Sequence, residues 1–175
     1  KKVCHAYGVS INEYLVATFI WAAYQENYRH ITEDRPIRVA VPVNLRPYFD
    51  SITTKNFFVM VSAEFAPQKN EYTFEEILAI TKDSLRAQIN KEHLEKIFSY
   101  NVSNELMVVA RAVPLFLKNL AMRLVYTQSA LANTTTVTNI GNIKVEKVYE
   151  PYIQTVHSFL SFSKILIHLL FLLIL

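Results

Sequence analysis

The segment IRVAVPVNLRPYFDSITTKNFFVMVSAEF, residues 37–65, decides the fold class of this chain. From residue 37 to residue 45, apolar side chains alternate with other side chains, and this period of two predicts a strand with one face in the core. Pro42 has no N–H to donate, so the strand should be an edge strand at this point or end nearby. The aromatic and β-branched residues of 57–65 predict a second strand.

A helix is predicted N-terminal to the first strand. Ser10 is followed three residues later by Glu13, a reciprocal capping pattern that satisfies two free amides at a helix start. The run that follows is apolar on most faces, which is typical of a central, buried helix. This helix should end at residues 28–30.

Further helices are predicted C-terminal to the second strand. Thr73 and Glu76 repeat the capping pattern in front of an amphipathic helix. This helix should reach about Lys91, and a continuation to Phe98 is left open. Ser103 should open another apolar helical region. Pro114 lies within that region and must kink or split it, because proline lacks the N–H and clashes with the preceding turn.

The remaining sequence predicts extended structure. A β-prone run covers residues 134–138, and a turn follows at residues 139–141. Further extended pieces are expected at residues 143–148 and 155–162. The predicted order α, β, β, α, α, β, β is that of a mixed α/β fold.

Composition excludes several classes of protein. The chain has 175 residues, a length that fits one domain or a large part of one, and 51% of them are hydrophobic, which excludes disorder. A dispersed net charge of +3 gives no surface dedicated to nucleic acid. Cys4 is the only cysteine, so neither a disulfide framework nor a Cys-rich zinc site is expected, and no metal is predicted. With no leader recognised, the expected compartment is the cytoplasm.

The last 17 residues differ from the rest. Residues 159–175 are almost entirely apolar but are interrupted by Lys164 and His168, and a spanning helix needs roughly 20 apolar residues. We therefore divide the chain into a lobe at 1–158 and an apolar tail at 159–175. Three origins of the tail are considered: a membrane anchor, a buried terminal strand or helix, and a truncated or misread reading frame. The reading-frame origin is favoured, and membrane association is not expected.

Three segments carry a resemblance to a known superfamily. They are GVSINEYLVATFIWAAY at 8–24, VPVNLRPYFDSITTKNFF at 41–58, and TTTVTNIGNIKV at 134–145. In this order and spacing, they resemble the C-terminal half of chloramphenicol-acetyltransferase-like enzymes, which include alcohol acetyltransferases and the condensation domains of peptide synthetases. Bacterial alcohol-acetyltransferase-like proteins are the most similar, over residues 3–156.

The resemblance implies a fold and a chemistry. It implies one lobe of an acetyltransferase-like two-layer sandwich, with a mixed β-sheet and helices on one face. The substrates implied are acetyl-CoA or another acyl-CoA as donor and an alcohol as acceptor, with no tightly bound cofactor. They would meet in a tunnel between two lobes. The general base implied is the second histidine of an HHxxxDG motif on the N-terminal lobe, and this sequence has no such motif.

A search for a base within the chain gives one partial candidate. His30 and Asp34 form an HxxxD string, but the second histidine and the glycine of the motif are absent. A solvated polar loop is the favoured interpretation of this string. The remaining histidines have no acid or nucleophile at a motif spacing, so each is expected to be structural.

Four other residues are candidates for the tunnel or for the lobe interface. The resemblance implies that Arg46 pairs with the motif aspartate of the other lobe, for which bidentate geometry is suited; the alternative is a surface arginine. Asn56 would face the tunnel or cap strand backbone. Thr138 and Asn139 would donate a hydrogen bond to the oxyanion, or serve only to form the turn.

These expectations define a function and a rival. The chain is predicted to be the acceptor-side half of an acyl-CoA-dependent alcohol O-acetyltransferase, inactive without its N-terminal lobe. The rival from another class is a non-catalytic interaction module, or a membrane-attached module that uses the apolar tail.

Overall fold

A computed structural model describes residues 1–27, 36–106, 114–139, 145–155 and 171–173. Its helices are α1 (Lys2–Ala6), α2 (Ile11–Asn27), α3 (Phe74–Gln88), α4 (Lys91–Leu106) and α5 (Leu115–Ala132), with a 3-10 turn at Glu150–Tyr152. Its strands are β1 (Ile37–Asn44), β2 (Phe58–Phe65), β3 (Thr135–Asn139) and β4 (Phe171–Leu173). The predicted mixed α/β class is confirmed.

The strands form one mixed sheet in the order β2-β1-β3-β4. Strand β1 pairs antiparallel with β2 along its whole length, and parallel pairs join β1 to β3 and β3 to β4. The pairs between β1 and β3 are Val39–Thr135 and Ala40–Thr136, so they stop two residues before Pro42. Strand β1 is internal in the sheet order, but at Pro42 its described pairing is with β2 alone, and it ends at Asn44, two residues after the proline. The expectation of an edge position or a nearby strand end at Pro42 is therefore confirmed.

The core lies between one face of the sheet and helices α2 and α3. Both helices contact the sheet and each other. The sheet contributes alternate residues of β1 and β2, as expected when successive side chains point to opposite faces. The core includes Val16, Ile20, Tyr24, Ile37, Val39, Val41, Val59, Val61, Phe65, Ile77 and Leu85.

The opposite face of the sheet carries the other half of the alternation, and we call it the open face. Its members are Arg38, Ala40, Pro42, Asn44, Phe58, Met60, Ser62, Glu64, Thr136 and Thr138. Phe58 and Met60 are 49% and 41% exposed. Arg38 Nε donates to Glu64 Oε2 across the strand pair at 2.7 Å. The open face is thus a mixed polar and apolar surface that solvent reaches.

Both predicted capping patterns are present. The Ser10 N–H donates to Glu13 Oε2 at 2.6 Å, and the Glu13 N–H donates to Ser10 Oγ at 3.2 Å. Thr73 and Glu76 make the same reciprocal pair at the start of α3. The sequence pattern therefore located two helix starts to the residue, because the cap is a local device.

Two predictions about the later helices need correction. Helix α3 ends at Gln88 instead of running to Lys91 or Phe98, and α4 starts afresh after Asn90. The Asn90 side chain explains the break: Oδ1 accepts from the His93 N–H at 2.9 Å, while Nδ2 donates to the Ala87 carbonyl at 2.8 Å. Ser103 lies inside α4 and opens no helix. Pro114 does precede a helix start, at α5.

The C-terminal predictions are partly wrong and partly outside the described residues. The predicted strand at 134–138 is β3. In the described part of 143–148, residues 147–149 form a turn, so the extended piece is wrong there. Of the turn predicted at residues 139–141, only Asn139 is described, and it lies in β3. Of the strand predicted at residues 155–162, only Thr155 is described, and it is not part of a strand. Most of the tail, 159–170 and 174–175, also lies outside the described residues.

Candidate functional site

A groove lies at the end of the open face, where β1, β2 and β3 meet the loop from β1 to β2. Its volume is about 390 Å³. Its lining is Pro42, Asn44, Arg46, Asn56, Phe57, Phe58 and Thr138. The groove therefore joins residues far apart in the sequence, and the antiparallel β1–β2 pair with the parallel β3 brings them together.

Arg46 organises the loop that forms one side of the groove. Its Nη2 donates to the carbonyl oxygens of Thr53 at 3.1 Å and Lys55 at 2.8 Å. The neighbouring Leu45 N–H donates to the Phe57 carbonyl at 3.1 Å, which closes the loop at its base. The guanidinium is exposed, yet it is held by its own loop. Pairing with an aspartate of another lobe stays a prediction.

Asn44 is a residue of this site that the sequence reasoning missed. Its Oδ1 accepts from the Arg46 backbone N–H at 3.1 Å and from Arg46 Nη1 at 3.4 Å. An asparagine that bonds the backbone two residues on forms an Asx turn. The signal was available, since Asn44-Leu45-Arg46 stands at the end of a predicted strand and the Asn44 and Arg46 side chains fall on the same side of the alternation.

Thr138 and Asn139 are neighbours in β3 but face opposite ways, because side chains alternate along a strand. Thr138 lines the groove. Asn139 lies on the helix-covered side, where its Nδ2 donates to Asn12 Oδ1 of α2 at 3.1 Å. Three of the four predicted tunnel or interface residues, Arg46, Asn56 and Thr138, therefore surround one groove, and Asn139 lies apart from it.

The chemistry of the groove is that of hydrogen-bond donors beside aromatic rings. Thr138 supplies a hydroxyl, Asn56 an amide and Arg46 a permanent cation, while Phe57 and Phe58 supply apolar surface. Such groups bind and orient a substrate and can donate to a developing oxyanion. The described lining has no histidine or carboxylate. A general base must come within hydrogen-bond reach of the hydroxyl, and these described residues do not supply one.

The described histidines, His5 and His93, give no second site. His30 and Asp34 lie outside the described residues, as do His157 and His168. His5 is exposed on α1, and His93 lies near the start of α4. In the parts of the chain that the structure describes, no group of three or more His, Cys, Asp or Glu residues is placed to hold a metal ion.

Among the described residues, the most buried carboxylate lies far from the groove in sequence and stabilises the helices. Glu13 accepts from Arg86 Nε at 2.7 Å and from Arg86 Nη2 at 3.2 Å. Arg86 Nη2 also donates to the Gly8 carbonyl at 3.2 Å, and Gly8 has φ of +63°, a left-handed value that suits glycine. This cluster ties the turn before α2 to α3.

Burial alone would raise the pKa of Glu13, but hydrogen bonds from Arg86 and Ser10 more than offset it. The pKa of this carboxyl therefore lies below its ordinary value. Glu13 is an ionised partner of Arg86 at neutral pH. All of its hydrogen bonds go to helix-forming segments, so we assign it a structural role.

The fold and the groove define a mixed α/β protein with an open substrate-sized recess at one end of its sheet. Comparison with known proteins gave no matching family model, no matching curated protein and no matching solved structure. The acetyltransferase-like resemblance therefore stays a prediction. In the described part of the chain, no helix combines the length and the apolar character needed to cross a membrane.

Proposed function

We propose that this chain is the acceptor-side half of an acyl-CoA-dependent alcohol O-acyltransferase, and that the groove forms one wall of its substrate tunnel. The proposal rests on one observation: Arg46 and Asn56, from one sequence segment, and Thr138, from another about 80 residues further on, all line the same groove.

The roles of these residues follow from their chemistry. The acceptor hydroxyl attacks the thioester carbonyl, a C–O bond forms, the C–S bond breaks and the CoA thiolate leaves. The hydroxyl proton goes to a base and then to the thiolate. Thr138 would donate a hydrogen bond to the oxyanion, Asn56 would orient the acceptor, and Arg46 would hold the loop that carries Asn56. The base would come from the N-terminal lobe.

The test is a thiol-release assay with acetyl-CoA and short alcohols. The purified chain alone should give the buffer rate. The chain co-expressed with an N-terminal lobe that bears HHxxxDG should give turnover, and Thr138→Val should reduce it by about 10²-fold, as loss of an oxyanion donor does. Glu95→Ala, an exposed change on α4, is the matched control and should leave turnover unchanged.

Three results would overturn the proposal. The first is turnover by the chain alone that disappears in His30→Ala, which would make the HxxxD string catalytic. The second is failure of the two lobes to associate. The third is a co-purified pair of lobes with no turnover. Upstream coding sequence gives an independent check, because a preceding HHxxxDG frame supports the transferase, and a start codon at or near Lys1 supports the rival.

The rival, a non-catalytic interaction module, has one observation in its favour. Helix α5 exposes most of its large apolar side chains, with Leu115 and Phe116 more than two-thirds exposed. Exposed apolar surface of this extent is typical of an interaction site. A pull-down of a stable partner that covers α5, together with no turnover in the two-lobe assay, would favour the module over the enzyme.

A further inference from the structure

Two apolar surfaces in this chain are uncovered, and the same short connection joins them. The first is the open face of the sheet, with Phe58 and Met60 well exposed. The second is a stripe on α5 formed by Phe116, Leu117, Leu120 and Leu124, which are 45–71% exposed. Their spacing of one, four and eight residues places them on one side of a helix.

The C-terminal end of α5 is already anchored at the open face. Asn133, which ends the helix, has its Oδ1 3.0 Å from Ser62 Oγ, and Ser62 lies on the open face of β2. The next residue, Thr134, makes two hydrogen bonds with Arg38. Its Oγ1 accepts from the Arg38 backbone N–H at 3.1 Å, and its own N–H donates to the Arg38 carbonyl at 2.7 Å. The C-terminal end of α5 therefore lies at the open face of the sheet, the face that the core helices do not cover.

Helix α5 is long enough to cover the open face and to reach past its end. At 1.5 Å per residue, its 18 residues are about 27 Å long, whereas the strand from Phe58 to Ser62 spans about 13 Å. An α-helix about 10 Å wide covers two strands spaced about 4.8 Å apart. The connection from α5 to β3 is short, and tight connections of this kind are ordinary between a helix and the sheet on which it packs.

The anchor also fixes the register. From Asn133 back to Leu124 the helix rises about 13 Å, and from Ser62 back to Phe58 the strand also runs about 13 Å. A helix that runs antiparallel to β3 would then place Leu124 over Phe58. Its first two turns would extend beyond the sheet over the groove. Met122 would point away from the sheet, because two residues turn a helix by about 200°.

We propose that α5 folds down about Asn133 and Thr134 onto the open face of its own sheet, where Leu124 covers Phe58, the helix C-terminal to Leu124 shields Met60, and its N-terminal half, with the rest of the apolar stripe, closes the groove. The occupant of the open face is thus a segment of the same chain. The inference concerns the covering of the sheet, and it stands whether or not the groove binds an acyl acceptor.

The test is a pair of introduced cysteines in the full chain, with Cys4→Ala removing the native thiol. Phe58→Cys with Leu124→Cys, oxidised by copper phenanthroline at low protein concentration, should give a monomer-sized disulfide product. The matched control is Phe58→Cys with Met122→Cys. It should give at most about a tenth of that product, because thiols on Cα atoms more than about 7 Å apart cannot be bridged.

Other outcomes would overturn the proposal. Equal yields from both pairs, or no product from either, would show that the helix does not settle on this face. A dimer-sized product would mean that a second copy covers the face. Flotation of the chain with anionic phosphatidylserine vesicles, with loss of the monomer product, would assign the stripe to a lipid surface.

A labelling experiment keeps the test independent of disulfide geometry. Met60→Cys, again with Cys4→Ala, should react slowly with a maleimide because α5 shields it. Adding Leu124→Asp should speed labelling several-fold by releasing the helix, and adding Met122→Asp should not. Equal labelling rates in all three variants would contradict the proposal, and circular dichroism confirms that each variant is folded.

Discussion

Arg46 and Glu13 are charged residues with several hydrogen bonds each, and they differ mainly in burial. The Arg46 guanidinium is exposed and holds the carbonyl oxygens of its own loop. The Glu13 side chain is 8% exposed and pairs with Arg86, which is 53% exposed. Since a buried charge loses its hydration, removing its partner costs more than removing an exposed one. The first three predictions concern these residues.

Glu13→Gln should lower the free energy of unfolding at pH 7 by about 1–2 kcal/mol. The change keeps an acceptor for the helix cap but removes the charge that Arg86 meets, and hydrogen bonds to charged groups are worth about 1.5–3 kcal/mol before allowance for the exposed guanidinium. Urea unfolding measures the difference. Glu92→Gln, in the exposed pair with Lys96, is the control and should stay within about 0.5 kcal/mol. Equal losses in the two variants would contradict the structural role of Glu13.

The contribution of Glu13 should also depend on pH. Because the pKa of Glu13 in the folded chain is below its ordinary value of 4.5, the ionised form stabilises the fold. The advantage of wild type over Glu13→Gln should be complete above about pH 4.5 and shrink as the pH falls through the lowered folded-state pKa. Unfolding curves from pH 7 to pH 3 measure this gap, and a gap that widens on acidification would show the sign to be wrong.

Arg46→Ala should loosen the loop at residues 51–57 more than it destabilises the fold. Two carbonyl hydrogen bonds are lost, but both groups can then bond to water, so the expected cost is about 1 kcal/mol or less. Hydrogen exchange should accelerate at residues 51–57 and stay unchanged in α3. Lys96→Ala is the control for removal of an exposed cation. Uniformly faster exchange would instead place Arg46 among the determinants of global stability.

At the scale of elements, local signals predicted well and long-range ones did not. The Ser10–Glu13 and Thr73–Glu76 caps located α2 and α3, because a capping pair is complete within four residues. The alternation of residues 37–45 located β1, and the aromatic and β-branched residues of 57–65 located β2. The internal position of β1 depends on β3, nearly 100 residues away, and no local pattern around Pro42 encodes that neighbour.

The break between α3 and α4 illustrates how one side chain overrides periodicity. Apolar spacing continues across residues 88–98, which left open a single helix that continues to Phe98. Asn90 instead serves both ends, as donor to the last turn of α3 and acceptor at the first turn of α4. In the candidate site, too, local sequence predicted some features and long-range structure decided the others. Arg46, Asn56 and Thr138 could be selected from motifs, whereas the opposite orientation of Asn139 needed the register of β3.

Asn90→Ala should lower the free energy of unfolding by about 1 kcal/mol, the usual cost of losing a helix cap. Asn90→Asp keeps the acceptor at the start of α4, so it should recover most of the loss. Urea unfolding with matched circular dichroism measures both. An alanine variant as stable as wild type would show that the helix break is set by packing against β2 and not by the cap.

At the scale of the whole molecule, one face of the sheet is covered by helices and the other face is exposed. Between the sheet and helices α2 and α3 lies a continuous buried core. On the other side, the open face, the groove and the stripe of α5 all present surface to solvent. This exposed surface is what the proposed folding of α5 onto the sheet and the proposed second lobe would cover.

The central claim is that the groove forms one wall of a substrate-binding tunnel. A titration of the full chain followed by ¹H–¹⁵N NMR tests this claim most directly. With acetyl-CoA and then butanol as ligands, the account predicts chemical-shift changes centred on Asn56, Phe58 and Thr138. They should weaken in Thr138→Val and persist in the Glu95→Ala control. Shifts spread over the surface, or shifts confined to the recess near Tyr24 and Tyr72, would contradict it.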